Sequence, residues 1–225
     1  MAEVKLTIQR DFARPSSEII GGLQGVPTGW LVDAQGRRGA LDFGIRPLLA
    51  APRVIGSALT VRSAPRDNLA PYAALAYARP GDVLVIATGD YTGAAVVGDI
   101  LAAMAKNAGI VAIVTDGLVR DIEGLREVGL PVFARGLSPN SPQKNGPGTV
   151  GLRISLGAEV VDAGDIVVGD EDGVVIVPQV QAEAVLAGLE AIRAKEAQMD
   201  SAVRQGARTP GWLDDVLAGD DVHFV

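Results

Sequence analysis

A short apolar run near the middle of the chain constrains the fold more than any other feature. Residues 110–115 are aliphatic or β-branched at both odd and even positions. This pattern predicts a strand buried on both faces, and the turn signal Asp116-Gly117 ends it. Arg120 and Asp121 follow, at the carboxyl edge where open α/β sheets usually place their ligands. We interpret this pair as part of an active site. From this segment alone, a surface ion pair at the start of the next helix is an equal alternative.

A βαβ unit is predicted around this strand. Val83 to Ala87 has the pattern of a second buried strand, and Ala94 to Asn107 has a helical pattern with one apolar face. Gly98-Asp99 lies in the first turn or two of that helix, where free N–H groups and the helix dipole favour an anion such as a substrate carboxylate. A glycine that only helps two elements to pack is the alternative.

The other segments are short helices and strands. We predict helices over Ser17–Leu23, over Pro71–Ala78 and after Asp121 as far as Val128, and strands over Arg53–Val61 and Pro131–Arg135. The long loop Ser138–Gly148 is of the kind often tied to function. In the β-rich part that follows, Asp170 to Gly173 is interpreted as a hairpin turn, because the later glutamate of a calcium loop is missing.

The longest predicted helix covers Val180 to Gln205 and carries an apolar seam that one carboxylate, Glu196, interrupts. The seam consists of Val185, Leu189, Ile192, Met199 and Val203. A carboxylate in such a stripe needs an environment that solvates or pairs it, for example a metal-bound water or the cation of a neighbouring subunit. Alternatively, the helix projects beyond the body and its seam is already in water. The tail that follows is amphipathic enough to cover a neighbouring subunit.

Residue usage narrows the possible chemistry. The chain has no cysteine, and its one histidine, His223, lies close to the carboxyl terminus. Thiolate nucleophiles, disulfides and thiolate-bound zinc are therefore excluded, and a metal would need oxygen ligands, which favours Mg²⁺ or Mn²⁺. The net charge of −7, without a basic run, disfavours binding to nucleic acid. We expect small molecules or proteins as partners.

Length and hydrophobicity predict one sizeable core. With 225 residues and 48% hydrophobic content, we expect a single domain over residues 1–225, whose C-terminal helix and tail, from residue 180 on, pack on a neighbouring subunit. The amino terminus lacks a signal sequence, and no apolar run approaches the roughly 20 residues that span a bilayer. We therefore expect a cytoplasmic protein without a membrane association.

Several motifs, taken in their order and spacing, resemble the RraA-like family. They are PGDVLVI at 80–86, GD-I-L at 98–101, DG-x-x-RD at 116–121, PVFARG at 131–136, GPG at 146–148 and GDIVVGDEDGVVIVP at 164–178. The family includes 4-hydroxy-4-methyl-2-oxoglutarate and 4-carboxy-4-hydroxy-2-oxoadipate aldolases, which also decarboxylate oxaloacetate, and the regulator of ribonuclease E activity. The segments DAQGRRG at 33–39, GSALTV at 56–61 and RAKE at 193–196 look more like the aldolase branch.

The resemblance implies an α/β fold of the swivelling β/β/α type, assembled as trimers or dimers of trimers with sites between subunits. It implies that Asp121 binds a divalent metal and that Arg120 is the substrate-binding cation. The turn Gly98, Asp99, Ile100 and Leu101 would hold the pyruvyl carboxylate through its amides, and Asp99 would steady a metal-bound water. By its place in the last helix, Glu196 resembles the carboxylate that reaches into the next subunit's site.

The function implied is a class II retro-aldol cleavage of a 4-hydroxy-2-oxo acid that releases pyruvate, with oxaloacetate decarboxylation through the same enolate. Arg120, Asp99 and Glu196 are the candidate catalytic residues. A Schiff-base route would need a lysine aimed into a pocket, and none of Lys5, Lys106, Lys144 and Lys195 ends a predicted buried strand. The alternatives are a non-catalytic protein-binding regulator of a ribonuclease and an enzyme of this fold with unrelated substrates.

Overall fold

The computed structural model describes residues 4–49, 53–220, 222–223 and 225, and its strands are short. In chain order they are β1 (Leu6–Ile8), β2 (Arg46–Pro47), β3 (Val54–Ser63), β4 (Asp82–Ala87), β5 (Ala95–Val97), β6 (Ala112–Thr115), β7 (Leu118–Val119), β8 (Val132–Ala134), β9 (Gly136–Leu137), β10 (Gly148–Val150), β11 (Ile154–Leu156), β12 (Glu159–Val161), β13 (Ile166–Asp170) and β14 (Gly173–Val177). The helices are α1 (Ser17–Leu23), α2 (Thr28–Ala34), α3 (Leu69–Leu75), α4 (Asp99–Asn107), α5 (Ile122–Val128), α6 (Ala182–Arg204) and α7 (Trp212–Leu217), with a 3₁₀ turn at Gln179–Gln181.

A nine-stranded sheet forms the centre of the fold. Its order is β1-β10-β3-β4-β6-β8-β2, and the β13-β14 hairpin pairs with the first half of β3. The strands β3, β4, β6 and β8 are parallel neighbours, which confirms the expected β4-α4-β6 unit and the α/β class. Antiparallel strands close the sheet on both sides of this parallel group.

The parallel strands are buried on both faces, as their unbroken apolar patterns predict. In β4, Leu84 and Ile86 face the core under α3, α4 and α5, whereas Val83 and Val85 face the core under the β11-β12 and β13-β14 hairpins. The other face of the β13-β14 hairpin packs against α1, α2 and the start of α6, where Leu189 is fully buried. The molecule is therefore layered as helix, sheet, hairpins and helix, and period-two alternation assigns each side chain to its layer.

A second, three-stranded parallel sheet of order β5-β7-β9 corrects one of our predictions. We predicted a helix from Ala94, but α4 begins only at Asp99, and residues 95–97 form β5. The sequence Ala-Val-Val suits either structure locally, and pairing with β7 decides it. This change places Gly98 at the junction between a strand and a helix, as the N-cap residue of α4.

The apolar seam of the last long helix is fully buried only over its first two turns. Val185 and Leu189 are buried, but Met199 and Val203, later members of the same seam, are exposed. The apolar stripe therefore continues into solvent, as in the alternative in which this helix projects beyond the body. Among the described residues, no helix is both long enough and apolar enough to cross a bilayer.

Candidate active site

The carboxyl ends of the three strands of the small sheet lie side by side. Gly98 follows β5, Arg120 follows β7 and Ser138 follows β9, and all three strands are parallel. Backbone hydrogen bonds connect these ends. The Arg120 amide donates to the Val97 carbonyl at 3.0 Å, and the Ser138 amide donates to the Val119 carbonyl at 2.9 Å. Arg120 therefore lies at a carboxyl strand end, but of a different sheet from the one that we predicted.

Asp116 is the residue that ends the central strand β6, and it has a structural role. Its carboxylate is buried and accepts hydrogen bonds from the Thr88 amide at 2.6 Å, the Thr88 hydroxyl at 2.8 Å and the Asp90 amide at 3.0 Å. These bonds fix the loop after β4. Asp116-Gly117 thus ends β6, as predicted, and also directs the chain out of the central sheet into β7.

Arg120 and Asp121 form an ion pair that remains open to solvent. Arg120 Nε lies 3.0 Å from Asp121 Oδ2, and the two side chains are 36% and 39% exposed. Arg120 Nη1 also donates to Ser141 Oγ at 2.5 Å. Asp121 precedes α5 in the left-handed region, with a φ of 58°, and its side chain does not cap the helix. Such a backbone conformation is costly for a residue other than glycine, which is typical of functional sites.

Gly98 and Asp99 lie against this ion pair. A Cβ atom on Gly98 would come within 2.6 Å of Asp121 Oδ2, so only glycine allows the present approach of the carboxylate. Asp99 lies between two helices, since a Cβ atom on Gly124 of α5 would come within 2.5 Å of Asp99 Oδ2. The first amides of an α-helix have no intrahelical partner, and in α4 the Ile100 amide donates to Asp99 Oδ1 at 2.7 Å.

These residues surround one cavity of about 220 Å³. Its wall includes all of the predicted substrate-binding and metal residues, namely Gly98, Asp99, Ile100, Leu101, Arg120 and Asp121, together with Asn68, Tyr72, Ser141 and Lys144. The Leu101 side chain is buried in the core, whereas Ile100 is largely exposed. The arrangement suits a small acid that carries several oxygen atoms.

The donor set fits a divalent ion held by one protein carboxylate. Asp121 is part of the cavity wall and is partly exposed, so an ion could reach its oxygens. No group of three or more Asp, Glu or His side chains placed to hold a metal occurs in the described part of the chain. Mg²⁺ is commonly bound through one or two carboxylates, with waters and substrate oxygens in the remaining positions. Asp121, with Asp99 on the same wall, meets that requirement.

Glu196 does not belong to this cavity within one chain. It contributes instead to a different cavity of about 530 Å³, whose wall also includes Asp33, Asp42 and Asp172. Its side chain is exposed on the second half of α6. The expectation that Glu196 reaches the site of a neighbouring subunit therefore stays a prediction.

A second ion-pair cluster, around Arg135, was not expected from the sequence. Arg135 follows β8 and contacts Asp42 and Asp90, each at 2.6 Å. The pKa of Asp42 is lowered, first by the hydrogen bond from the Gly44 amide and then by Arg135. The cluster ties the loop before β2 to the loop after β4, and it does not line the cavity at Asp121.

Sequence reasoning missed several residues of the cavity wall, among them Ser141, Lys144 and Asn68. We predicted the loop 138–148 to be functional without singling out Ser141, and we weighed Lys144 only as a Schiff-base lysine. Asn68 lies between the strand predicted over Arg53–Val61 and the helix predicted over Pro71–Ala78. An asparagine just before a predicted helix is a typical N-cap, and this local signal concealed its position in the site.

The fold and the cavity define a small mixed α/β protein whose cavity, at the ends of parallel strands, is lined by Arg120, Asp121 and the start of α4. The chain belongs to the RraA-like family, since the family model described as Aldolase/RraA matches residues 28–176. Both the recognition of the family and the fold class expected from the sequence are confirmed.

Relatives in this family carry different names. A Halalkalibacterium halodurans protein named "Putative 4-hydroxy-4-methyl-2-oxoglutarate aldolase" is 40% identical over 183 residues, which are 81% of this chain and 84% of that protein. The crystal structure of an uncharacterized protein from Pseudomonas syringae pv. tomato matches with a TM-score of 0.76 and 26% identity, over 87% of this chain and 96% of that one. Streptomyces coelicolor RraAS2, described as an unusual member of the RNase ES inhibitor RraA protein family, matches with a TM-score of 0.73 and 29% identity, over 85% of this chain and 100% of that one.

Proposed function

We propose that this protein is a divalent-metal-dependent aldolase that cleaves a 4-hydroxy-2-oxo acid to pyruvate and a carbonyl product, and that also decarboxylates oxaloacetate. The observation that carries the proposal is the meeting of Arg120, Asp121 and the first amides of α4 around one cavity. The 40% identical relative named as an aldolase supports the same reaction class.

The residues of the chain have separate roles in this proposal. The Ile100 amide already donates to Asp99 Oδ1, so the neighbouring amides at the start of α4 bind the pyruvyl carboxylate, with the helix dipole favouring an anion there. Arg120 holds a fixed positive charge beside the oxygen on which negative charge develops. A divalent ion at Asp121, Mg²⁺ or Mn²⁺, supplies Lewis-acid polarisation of the 2-oxo group when it is bound.

Proton transfer completes the reaction. As the C3–C4 bond breaks, the C4 hydroxyl loses its proton and the bond electrons pass to C3, which forms the enolate of pyruvate. A proton added at C3 then gives pyruvate. Asp99 can orient a water molecule for these transfers, since this residue is part of the cavity wall. In oxaloacetate the same enolate forms when carbon dioxide leaves, so one site serves both reactions.

A Schiff-base mechanism would use Lys144, which is the lysine of this cavity wall. Its Nζ atom lies 5.7 Å from the centre of the Tyr72 ring, and its side chain is exposed. Schiff-base lysines are activated by desolvation in an apolar pocket or by a neighbouring cation, and exposure to solvent disfavours the first of these routes. Borohydride added with substrate should therefore leave no covalent adduct, and a trapped lysine would replace the metal scheme.

The proposal is tested by coupling pyruvate release to lactate dehydrogenase. With Mg²⁺ present, we expect turnover of 4-hydroxy-4-methyl-2-oxoglutarate or 4-carboxy-4-hydroxy-2-oxoadipate, and of oxaloacetate. EDTA should abolish it, and Mg²⁺ or Mn²⁺ should restore it. Asp121→Ala should stay inactive with added metal, whereas Glu127→Ala, which removes an exposed carboxylate on α5, should keep wild-type rates. Full activity in EDTA would contradict the metal scheme.

The second candidate function is a protein-binding regulator of a ribonuclease, in which the same cavity has no catalytic role. It is favoured by the match to RraAS2, which extends over the whole of that chain. Specific capture of a ribonuclease E-type enzyme, with no turnover of any 2-oxo acid in the panel, would make this the better description.

We also propose that the protein assembles as a homotrimer or a dimer of trimers, with sites completed between subunits. The exposed apolar residues of the C-terminal region, Met199, Val203, Trp212 and Val216, support this because a lone subunit leaves them in water. Light scattering coupled to size exclusion measures the mass, and a monomer at micromolar concentration would contradict the proposal.

A further inference from the structure

Asn68 is held firmly at the edge of the cavity by its backbone. Its amide donates to the Gln143 carbonyl at 3.0 Å, and its own carbonyl accepts from the Tyr72 amide at 3.3 Å. It occupies the N-cap position of α3, yet its side chain does not cap the helix. The carboxylate of Asp67 instead accepts from the Leu69 amide at 2.9 Å. The polar atoms of the Asn68 side chain therefore face other groups than the amides of α3.

The orientation of the Asn68 amide follows from one hydrogen bond. Its Nδ2 donates to the Val96 carbonyl at 3.2 Å. Because a carbonyl oxygen can only accept, the atom that faces Val96 must be the nitrogen, and the opposite atom is the acceptor Oδ1. Oδ1 is buried and has no hydrogen-bond partner in the described part of the chain, and Asn68 as a whole is only 5% exposed.

A buried acceptor without a donor costs free energy, so a site with such a group is suited to a ligand that supplies the donor. Asn68 contributes to the same cavity wall as Gly98, Arg120 and Asp121. The carboxylate and oxo groups of a 2-oxo acid only accept hydrogen bonds at neutral pH. In a 4-hydroxy-2-oxo acid, the C4 hydroxyl is the donor.

We propose that Asn68 Oδ1 accepts a hydrogen bond from the C4 hydroxyl of the bound substrate and so determines specificity for aldols over 2-oxo acids without that hydroxyl. This inference rests on the proposed function and assigns a residue to the half of the substrate that becomes the carbonyl product. The hydrogen bond also orients the O–H group whose proton leaves when C3–C4 breaks. Oxaloacetate has no such hydroxyl, so its decarboxylation depends less on Asn68.

The test changes the residue and the ligand separately. Asn68→Ala should lower the ratio of kcat/KM for 4-hydroxy-4-methyl-2-oxoglutarate to kcat/KM for oxaloacetate by at least about tenfold. Asn145→Ala, which removes an exposed asparagine side chain in the loop 138–148, should leave both kcat/KM values unchanged. On the ligand side, 4-methyl-2-oxoglutarate lacks the hydroxyl and cannot be cleaved. Its inhibition constant for wild-type enzyme should be at least about tenfold above the KM of the aldol, and Asn68→Ala should hardly alter it.

Each outcome has a distinct meaning. A parallel loss of both activities in Asn68→Ala, with a lower melting temperature, would show a structural role and overturn the inference. An unchanged ratio would do the same. If the variant does not fold, the wild-type arm still decides, because tight binding of 4-methyl-2-oxoglutarate would refute a role for the hydroxyl. If the wild-type enzyme turns over neither substrate, the proposed function itself fails, and the wild-type assays alone reveal this.

Discussion

Gly98→Ala should separate catalysis from stability in this protein. The added methyl group would lie 2.6 Å from Asp121 Oδ2 and 3.2 Å from Arg120 Nε. Ordinary van der Waals contact begins near 3.4 Å, so the carboxylate must move by at least about 0.8 Å. Both side chains of the ion pair are partly exposed and can move away. The substitution therefore displaces the groups that the proposed chemistry requires, without breaking the core.

The expected loss of activity is large and the expected change in stability is small. A misplacement of about 1 Å in a catalytic group can cost about 100-fold in rate, which corresponds to about 2.7 kcal/mol in the activation free energy. Gly98 has an extended backbone, with a φ of −131°, which alanine adopts without strain. Reduced chain entropy in the unfolded state favours alanine by up to about 1 kcal/mol, and its weaker N-cap propensity opposes this by a similar amount.

The assay pairs pyruvate release with thermal unfolding. Gly98→Ala should lower kcat/KM by about 100-fold, while the free energy of unfolding stays within about 1 kcal/mol of wild type. Gly21→Ala is the matched control, because Gly21 is an exposed residue of α1 and its added Cβ atom would meet nothing within 4 Å. That control should keep full activity. If Gly98→Ala retained more than a third of wild-type activity, the close approach of Gly98 to Asp121 would have no catalytic importance.

The remaining predictions concern two ion pairs. Arg120→Lys should lower kcat/KM by at least about 100-fold, because one ammonium group cannot replace the contacts of Nε with Asp121 and of Nη1 with Ser141. Ser141→Ala should lower kcat/KM by less than about tenfold. Steady-state kinetics that rank the two variants the other way would contradict the assignment. The pKa of Asp162 is lowered, first by the hydrogen bond from Arg153, so this pair stabilises the fold above about pH 4 and its contribution is lost as the pH falls through the folded-state value. Both side chains are exposed and screened by solvent, so Arg153→Ala should lower the free energy of unfolding at pH 7 only slightly, as measured with urea. A difference from wild type that grows toward low pH would contradict this sign.

Local pattern in the sequence was enough for much of the architecture. The doubly apolar runs of β4 and β6 predicted buried parallel strands, and α1 and α5 lie where their patterns predicted. The glycine after Val128 ends α5 in the left-handed region, as a C-terminal glycine should. The motif resemblance also predicted that Gly98, Asp99, Arg120 and Asp121 share one site, and these four residues do line one cavity.

Long-range pairing decided what the sequence could not. Residues 95–97 became a strand because β7 lies beside them, and this places the site at the ends of the small sheet instead of the central one. That Asn68 Oδ1 lacks a hydrogen-bond partner among the described residues follows only from the folded structure, in which Nδ2 donates to the Val96 carbonyl, 28 positions along the chain. The sequence by itself determined which segments are apolar, how they alternate and which side chains carry charge, because these are properties of neighbouring residues. Only the tertiary structure decided which strand ends and loops meet, because that depends on contacts between distant segments that no local periodicity encodes.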